Sequence, residues 1–242
     1  MDDLPSRLAR IHDAIALAAQ KAGRDPAEIE LLAVTKTQPA EVIQEAMRAG
    51  ITRFGENKVQ EARRKIEELS RGVWHLIGHL QSNKAKDAVR LFDSIDSVDR
   101  ADLAGEIDHR AAALGKIQNV LLQVNIAGES AKFGCAPDAA RSLAEAMNAM
   151  PRLCLRGLMT IAPYSPEPEK SRPHFAALRR LRDQIEAATG LRLPVLSMGM
   201  SGDFAVAIEE GGTCVRIGTA LFGERLKLKQ RRPEDPSFTE ST

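Results

Sequence analysis

Cysteine, aromatic residues and charge of one sign are all scarce in this chain, and each scarcity excludes something. Three cysteines occur in 242 residues, Cys135, Cys154 and Cys214, with no CxxC pair. An odd number so widely spaced supports neither a disulfide framework nor a cysteine zinc site, and it suits a reducing compartment. Aromatics make up 4%, with one Trp, one Tyr and seven Phe, too few for the stacking platforms that single-stranded nucleic acid needs. The 34 Lys plus Arg oppose 33 Asp plus Glu, leaving a formal net charge of +1, which argues against a nucleic-acid binder. Eighteen apolar residues never run together, and the N-terminal stretch MDDLPSRLARIHDAIALAAQKAGR is charged throughout, without the apolar centre of a signal peptide. The expectation is a cytoplasmic protein with no nucleic-acid or membrane partner.

A hydrophobic fraction of 43% is enough for a sizeable core built from Ala, Leu, Ile and Val, and 28% charged residues is an ordinary surface, so one compact domain is expected. From Leu4 to Ala22 the positions Leu8, Ile11, Ile15, Ala18 and Ala22 recur at helical spacing, and Gly23 stops the pattern. Beyond it, short apolar runs alternate with helix-period stretches. The runs are LLAVTK (31–36), RFGE (53–56), WHLIG (74–78), LFDSID (91–96), NVLLQVN (119–125), LRGLMTI (155–161), VLSMG (195–199) and CVRIGT (214–219). Helices are predicted near 39–49, 58–70, 82–89, 100–114, 137–149, 170–188 and 203–210. Eight strands alternating with helices imply parallel pairing. The count favours an α/β fold closed as a single eight-stranded (β/α)8 TIM-type barrel with an extra N-terminal helix, over an open doubly wound sheet. The barrel domain is placed at 1–225, and the tail at 226–242, of mixed charge and little apolar content, reads as disordered.

Ligands of such barrels bind where strands end, so the last residues of each run matter most. In LLAVTK, alternation sets Leu32, Val34 and Lys36 on one face, which carries the lysine into the barrel mouth if that face is inward. There it could be neutralised by desolvation or joined to a carbonyl ligand as a Schiff base; a lysine that ends an edge run and reaches back to water is the other reading, and the segment alone leaves both open. In CVRIGT, Cys214, Arg216 and Gly218 share a face while Val215 and Ile217 suit packing against helices, so Arg216 points inward and needs an acceptor. Gly218 lets a ligand approach the backbone, and Thr219 adds an N–H and a hydroxyl. The seventh run leads into SMGMSGD, whose small residues precede a helix that would favour an anion. Closure brings strand one beside strand eight. A small aromatic aldehyde phosphate satisfies all of this: in pyridoxal 5′-phosphate (PLP) the aldehyde meets Lys36, the ring nitrogen Arg216, and the phosphate the region of Ser201, Gly202, Gly218 and Thr219.

Other candidates carry blander readings. His75 and His79 have helical metal-pair spacing, but their segment reads as strand and Gly78 interrupts it, so no metal is expected. The RRK at 63–65, on a predicted helix with Glu61, Glu67 and Glu68, reads as a solvated salt-bridged face. The methionines read as core filler, with Met159 and Met198, at strand ends, able to line the pocket. No GxSxG, Walker or GxGxxG signature appears.

The segments AVTKTQP, FGENKVQE, WHLIGHLQSNK, GLMTIAP, LSMGMSGD and VRIGTALFG resemble those of the pyridoxal phosphate homeostasis protein family, also called the YggS or PROSC family, from about residue 8 to Gly223. The resemblance implies a barrel similar to the N-terminal domain of alanine racemase, with PLP held as an internal aldimine on Lys36. It also implies that Asn57 lies against the cofactor, that Arg216 faces the pyridine nitrogen, and that Ser201, Gly218 and Thr219 meet the phosphate. Gln38, where a second lysine is common, and Ala127, where Ser is usual, depart from the pattern; Lys84 and Lys132 are further family-type lysines.

The function expected is reversible PLP binding in intracellular PLP homeostasis by a monomer, with delivery to PLP-dependent apo-enzymes and no strong enzymatic activity. An arginine at the ring nitrogen leaves that nitrogen largely unprotonated and the ring a weaker electron sink. The racemases that resemble this barrel also use a second domain that supplies a catalytic tyrosine, whereas this chain ends soon after strand eight. The alternatives are a PLP-dependent racemase, transaminase or lyase using Tyr164 or His79 as acid or base, and a barrel for another phosphorylated metabolite without aldehyde chemistry.

Overall fold

The first helix, α1 (Leu4–Lys21), starts because the Asp3 side chain accepts the Ser6 amide and Pro5 presets its first turn. Leu8, Ile11, Ile15, Ala18 and Ala19 form its buried stripe, and Gly23, at φ 66°, carries the chain away from it. The computed structural model describes residues 3–129 and 132–223, so the tail read as disordered at 226–242 lies outside the described residues.

Eight strands follow: β1 (Glu30–Val34), β2 (Arg53–Glu56), β3 (Val73–Leu76), β4 (Ser94–Val98), β5 (Gln118–Gln123), β6 (Leu153–Met159), β7 (Val195–Met200) and β8 (Cys214–Ile217). They pair in parallel in sequence order and close, with β1 against β8 in a register running from Glu30↔Cys214 to Ala33↔Ile217. The helices around them are α2 (Ala40–Arg48), α3 (Val59–Leu69), α4 (Ala85–Leu91), α5 (Ala101–Ala113), α6 (Ala140–Asn148), α7 (Arg172–Thr189) and α8 (Phe204–Glu209), with the short α9 (Thr219–Phe222) after β8. This is the expected barrel with its leading helix, and α1 lies against α8 and α9. Val215 and Ile217 pack in the apolar layer between sheet and helices, as does Phe54 against Trp74, ring centroids 5.1 Å apart. Their alternation partners Cys214 and Arg216 therefore face the lumen.

Several strand boundaries differ from the sequence reading, and three of the differences have a clear local reason. Strand four starts at Ser94 and not Leu91, because Ala85, Ala88 and Val89 continue a buried helical face through Leu91. Strand one stops at Val34, because the Thr35 hydroxyl turns to Glu56 and Thr37 takes φ 66°. Thr219 belongs to α9, since the Gly218 carbonyl accepts the Leu221 and Phe222 amides.

Between β5 and β6 the register jumps from Val120↔Leu155 to Leu121↔Gly157, leaving Arg156 as the extra residue of a bulge. Glycine is required there: a Cβ on Gly157 would lie 1.9 Å from the Val195 carbonyl oxygen, at a φ of 159°. A second shift, between Ser197 and Met200 on β7, changes which side chains reach the upper end of the lumen.

Candidate functional site

A pocket of about 310 Å³ opens at the C-terminal mouth, and Lys36, Asn57, Ser201, Gly202, Arg216, Gly218 and Thr219 line it together. Among the predicted lining residues it excludes Met198, which is fully buried among the helix-side apolar residues. The parity of β7 explains this correction. Ser197 faces inward to bond Arg216, so Met198 faces outward, and the register shift lets Met200 reach the mouth instead. Met159 is buried and does not line the pocket either.

Lys36 lies just beyond β1, in a loop held on both sides of it. The Thr35 hydroxyl donates to Glu56 Oε1 at 2.6 Å, and Lys65 Nζ donates to the Thr35 carbonyl, to Glu56 Oε1 and to Glu61 Oε1, each at 2.7 Å. On the far side the Thr37 amide donates to Glu61 Oε1, holding a β-branched residue in the left-handed region. Glu56 is fully buried, and burial pushes its carboxyl above the usual range although Lys65 and Thr35 pull it back. For Glu61 burial also pushes upward, but the bonds from Lys65 and the Thr37 amide outweigh it and the carboxyl sits low. Lys65 is therefore buried in an ion-pair network, which corrects the solvated-face reading at that residue, while Arg64 is exposed and Arg63 pairs with Asp87 on a partly exposed face. Two signals could have found it: a glutamate ending a buried strand, and the Glu61–Lys65 spacing of one helical turn.

Arg216 is 4% exposed and donates to Ser197 Oγ and to the Thr160 carbonyl, both at 2.7 Å. Both acceptors are neutral, so burial lowers its pKa, while Asp96 and Asp203 act on it only through the field. Neither Ser197 nor Thr160 was singled out by the sequence, because a hydroxyl inside an apolar run gives no pattern of its own. At the rim, Ser201 Oγ accepts the Gly218 amide at 3.3 Å and the Ala220 amide at 3.2 Å. The preceding turn is fixed by Asp203, which accepts the Met200 amide at 2.7 Å and the Ser171 hydroxyl at 2.8 Å. Asn57 is held by close approach, since a Cβ on Gly78 would lie 2.2 Å from its carbonyl oxygen.

The remaining candidates separate. Tyr164 lines the rim but is 91% exposed, and Gln38 lines the pocket near Lys36. His79 is outside the lining and stacks on Phe133 at 3.8 Å, while His75 lies in the opposite half of the lumen bonded to Asp96 at 2.9 Å. Lys132 bonds Glu129 at 2.8 Å and the Ala162 carbonyl at 3.2 Å. Among the described residues no group of three His, Cys, Asp or Glu could hold a metal, and no helix is long and apolar enough to cross a membrane.

A closed parallel barrel with its strands in sequence order is the class of the alanine racemase N-terminal domain, whose family model matches residues 7–226. A pyridoxal phosphate homeostasis protein of Pseudomonas aeruginosa is 48% identical over 229 residues, covering 93% of this chain and 97% of that protein. One of Aquifex aeolicus is 47% identical over 221 residues, covering 90% and 97%. The chain belongs to the pyridoxal phosphate homeostasis protein family. Among solved structures, PipY of Synechococcus elongatus with PLP bound is 38% identical with a TM-score of 0.80, covering 91% of this chain and all of that one. An alanine racemase of Clostridium difficile shares the fold at 16% identity and a TM-score of 0.74, with 98% of this chain matched to 59% of the racemase.

Proposed function

We propose that this chain holds PLP reversibly at the C-terminal mouth, covalently linked through Lys36, and serves intracellular PLP homeostasis without strong catalysis of its own. The observation that carries this reading is the convergence of one amine, one buried guanidinium and one cradle of backbone N–H groups on a single pocket of about 310 Å³. The residues fit the cofactor. A Cβ on Gly202 would meet no protein atom within 4 Å, so the protein's own packing leaves that space open to a phosphate, whereas one on Gly218 would come into ordinary contact with Val34 at 3.6 Å. Ser201 Oγ, which now accepts the Gly218 and Ala220 amides, occupies the place of a phosphate oxygen acceptor.

When bound, PLP supplies an aldehyde that condenses reversibly with an amine. Lys36 offers that amine from a loop that Lys65, Glu56 and Glu61 keep from shifting. Arg216 remains a cation and gives a hydrogen bond without giving up a proton, which suits an unprotonated ring nitrogen and weakens carbanion stabilisation. The names of the relatives, homeostasis proteins rather than enzymes, support the same reading. Tyr164, at 91% exposure, is poorly placed to act as a fixed acid or base.

Borohydride reduction of protein incubated with PLP, followed by mass spectrometry, tests the proposal. The expected result is one pyridoxyl phosphate adduct on Lys36, absent from Lys36→Ala. An adduct elsewhere, or a bound phosphorylated ligand with unchanged absorbance in Lys36→Ala, would refute it. Inversion or deamination of single L-amino acids beyond free PLP, abolished by Tyr164→Phe, would establish the enzyme reading.

A further inference from the structure

The barrel has a second opening. Its N-terminal mouth holds a cavity of about 870 Å³, far from Lys36, whose lining carries charges of both signs. Most of these charges pair off: Arg53 Nε meets Glu30 Oε2 at 3.1 Å, His75 Nδ1 meets Asp96 Oδ2 at 2.9 Å, and Arg24 Nε meets Glu28 Oε2 at 3.4 Å. What is left over is one cation and one anion. Arg156 makes no hydrogen bond or ion pair with another described residue. Asp93 accepts the Trp74 amide at 2.8 Å and is bonded to no cation among the described residues; the neighbouring Lys116 amine is taken by the Val89 and Phe92 carbonyls.

Arg156 is the extra residue of the β5–β6 bulge, and the tight approach of Gly157 to Val195 keeps that bulge in place. Bulges re-aim a side chain, and this one presents an unneutralised guanidinium to the cavity. Asp93 lies two strands away, about 10 Å across the sheet at ordinary strand spacing and about as far along it, a gap that the long Arg156 side chain narrows, with Asn119 of β5 between them and Leu121 and Val195 supplying apolar surface. A simple anion would leave Asp93 unmatched and face Glu28 and Glu30, whereas a simple cation would leave Arg156 unmatched. We propose that the N-terminal mouth is a second binding site for a small zwitterion of the free amino-acid class, its carboxylate on Arg156 and its ammonium on Asp93.

Calorimetric titration of the full chain with glycine and L-alanine, beside acetate and methylamine, tests this site. Saturable binding of the amino acid, stronger than either half-molecule, is expected, and the Lys36→Ala protein should bind equally well. Arg156→Gln and Asp93→Asn should each weaken binding about tenfold, the scale of one lost charge-assisted bond, with Arg156→Lys recovering part of the loss. Asparagine can still accept the Trp74 amide, and Arg156 is exposed, so both variants should melt as the parent does. Absence of saturable binding, equal binding of acetate, or binding lost in Lys36→Ala and kept in Arg156→Gln would each overturn the proposal; the last would place the ligand at the cofactor mouth.

Discussion

At the C-terminal mouth the loops that carry Lys36 and Ser201 are anchored from outside the lumen, whereas at the N-terminal mouth neighbouring strands pair their charges with one another. The loop carrying Lys36 is fixed by Lys65 and Glu61 of α3, and the cradle by the Asp203 turn. At the other end Glu30 answers Arg53 and Asp96 answers His75 across adjacent strands. The difference separates two uses of charge. Supports supplied from behind hold the Lys36 loop and the Ser201 turn in place, while pairs closed within the lumen hold the barrel itself. Arg156 and Asp93 are the exceptions at the lower end, and a bulge is what sets Arg156 apart.

The strongest test of this contrast is to cut the upper mouth's outer support. Lys65→Met leaves Glu56 buried without its cation, and breaking one side of a buried pair should cost about 3 kcal/mol in urea unfolding and weaken PLP retention. Because the two side chains act as a unit, adding Glu56→Gln should recover much of that loss rather than add to it. Simple additivity would show that the network does not hold the loop as a unit.

A smaller effect is expected one step nearer the ligand. Arg216→Ala should weaken PLP retention by about 2 kcal/mol, and Ser197→Ala, which removes one of the two anchors of that guanidinium, by about 1 kcal/mol. Equilibrium dialysis reads both. Undiminished retention in Arg216→Ala would count against its contact with the ring nitrogen, and a Ser197→Ala loss as large as that of Arg216→Ala would mean that the hydroxyl matters for more than anchoring.

The fold was legible because its signals are periodic. Eight runs with helix-period stretches between them place the strands, and alternation within CVRI already sends Arg216 inward, where the barrel has it. The pocket's lining was legible for the same reason, since closure puts the ends of β1, β7 and β8 side by side. Met198 is misplaced by its position near a strand end, because the parity of β7 turns it outward beside the inward Ser197, and the register shift before Met200 brings that residue to the mouth instead. Lys65 was read as solvated because its helix is rich in charge, and nothing local shows that one of those charges turns under the sheet toward Glu56. The lower cavity had no sequence signature, as it depends on a bulge whose cause, a contact between Gly157 and Val195, is tertiary.

The smallest expected effect belongs to the lower end and depends on pH. His75 is opposed by burial, which lowers its pKa, and by Arg53, yet Asp96 at 2.9 Å and Glu30 together raise the value above 6.5. A group bound more tightly to its proton in the folded state stabilises that state fully below the unfolded pKa and loses the contribution as pH rises through the folded one. Unfolding of the parent and of His75→Gln should therefore diverge most at pH below 6.5 and converge as pH climbs above it. Neither Lys36 nor the cradle touches this pair, so PLP retention at neutral pH should be little changed by the substitution. A stability difference independent of pH would show that His75 contributes packing alone, and the pairing of charges at the lower mouth would then lose one of its members.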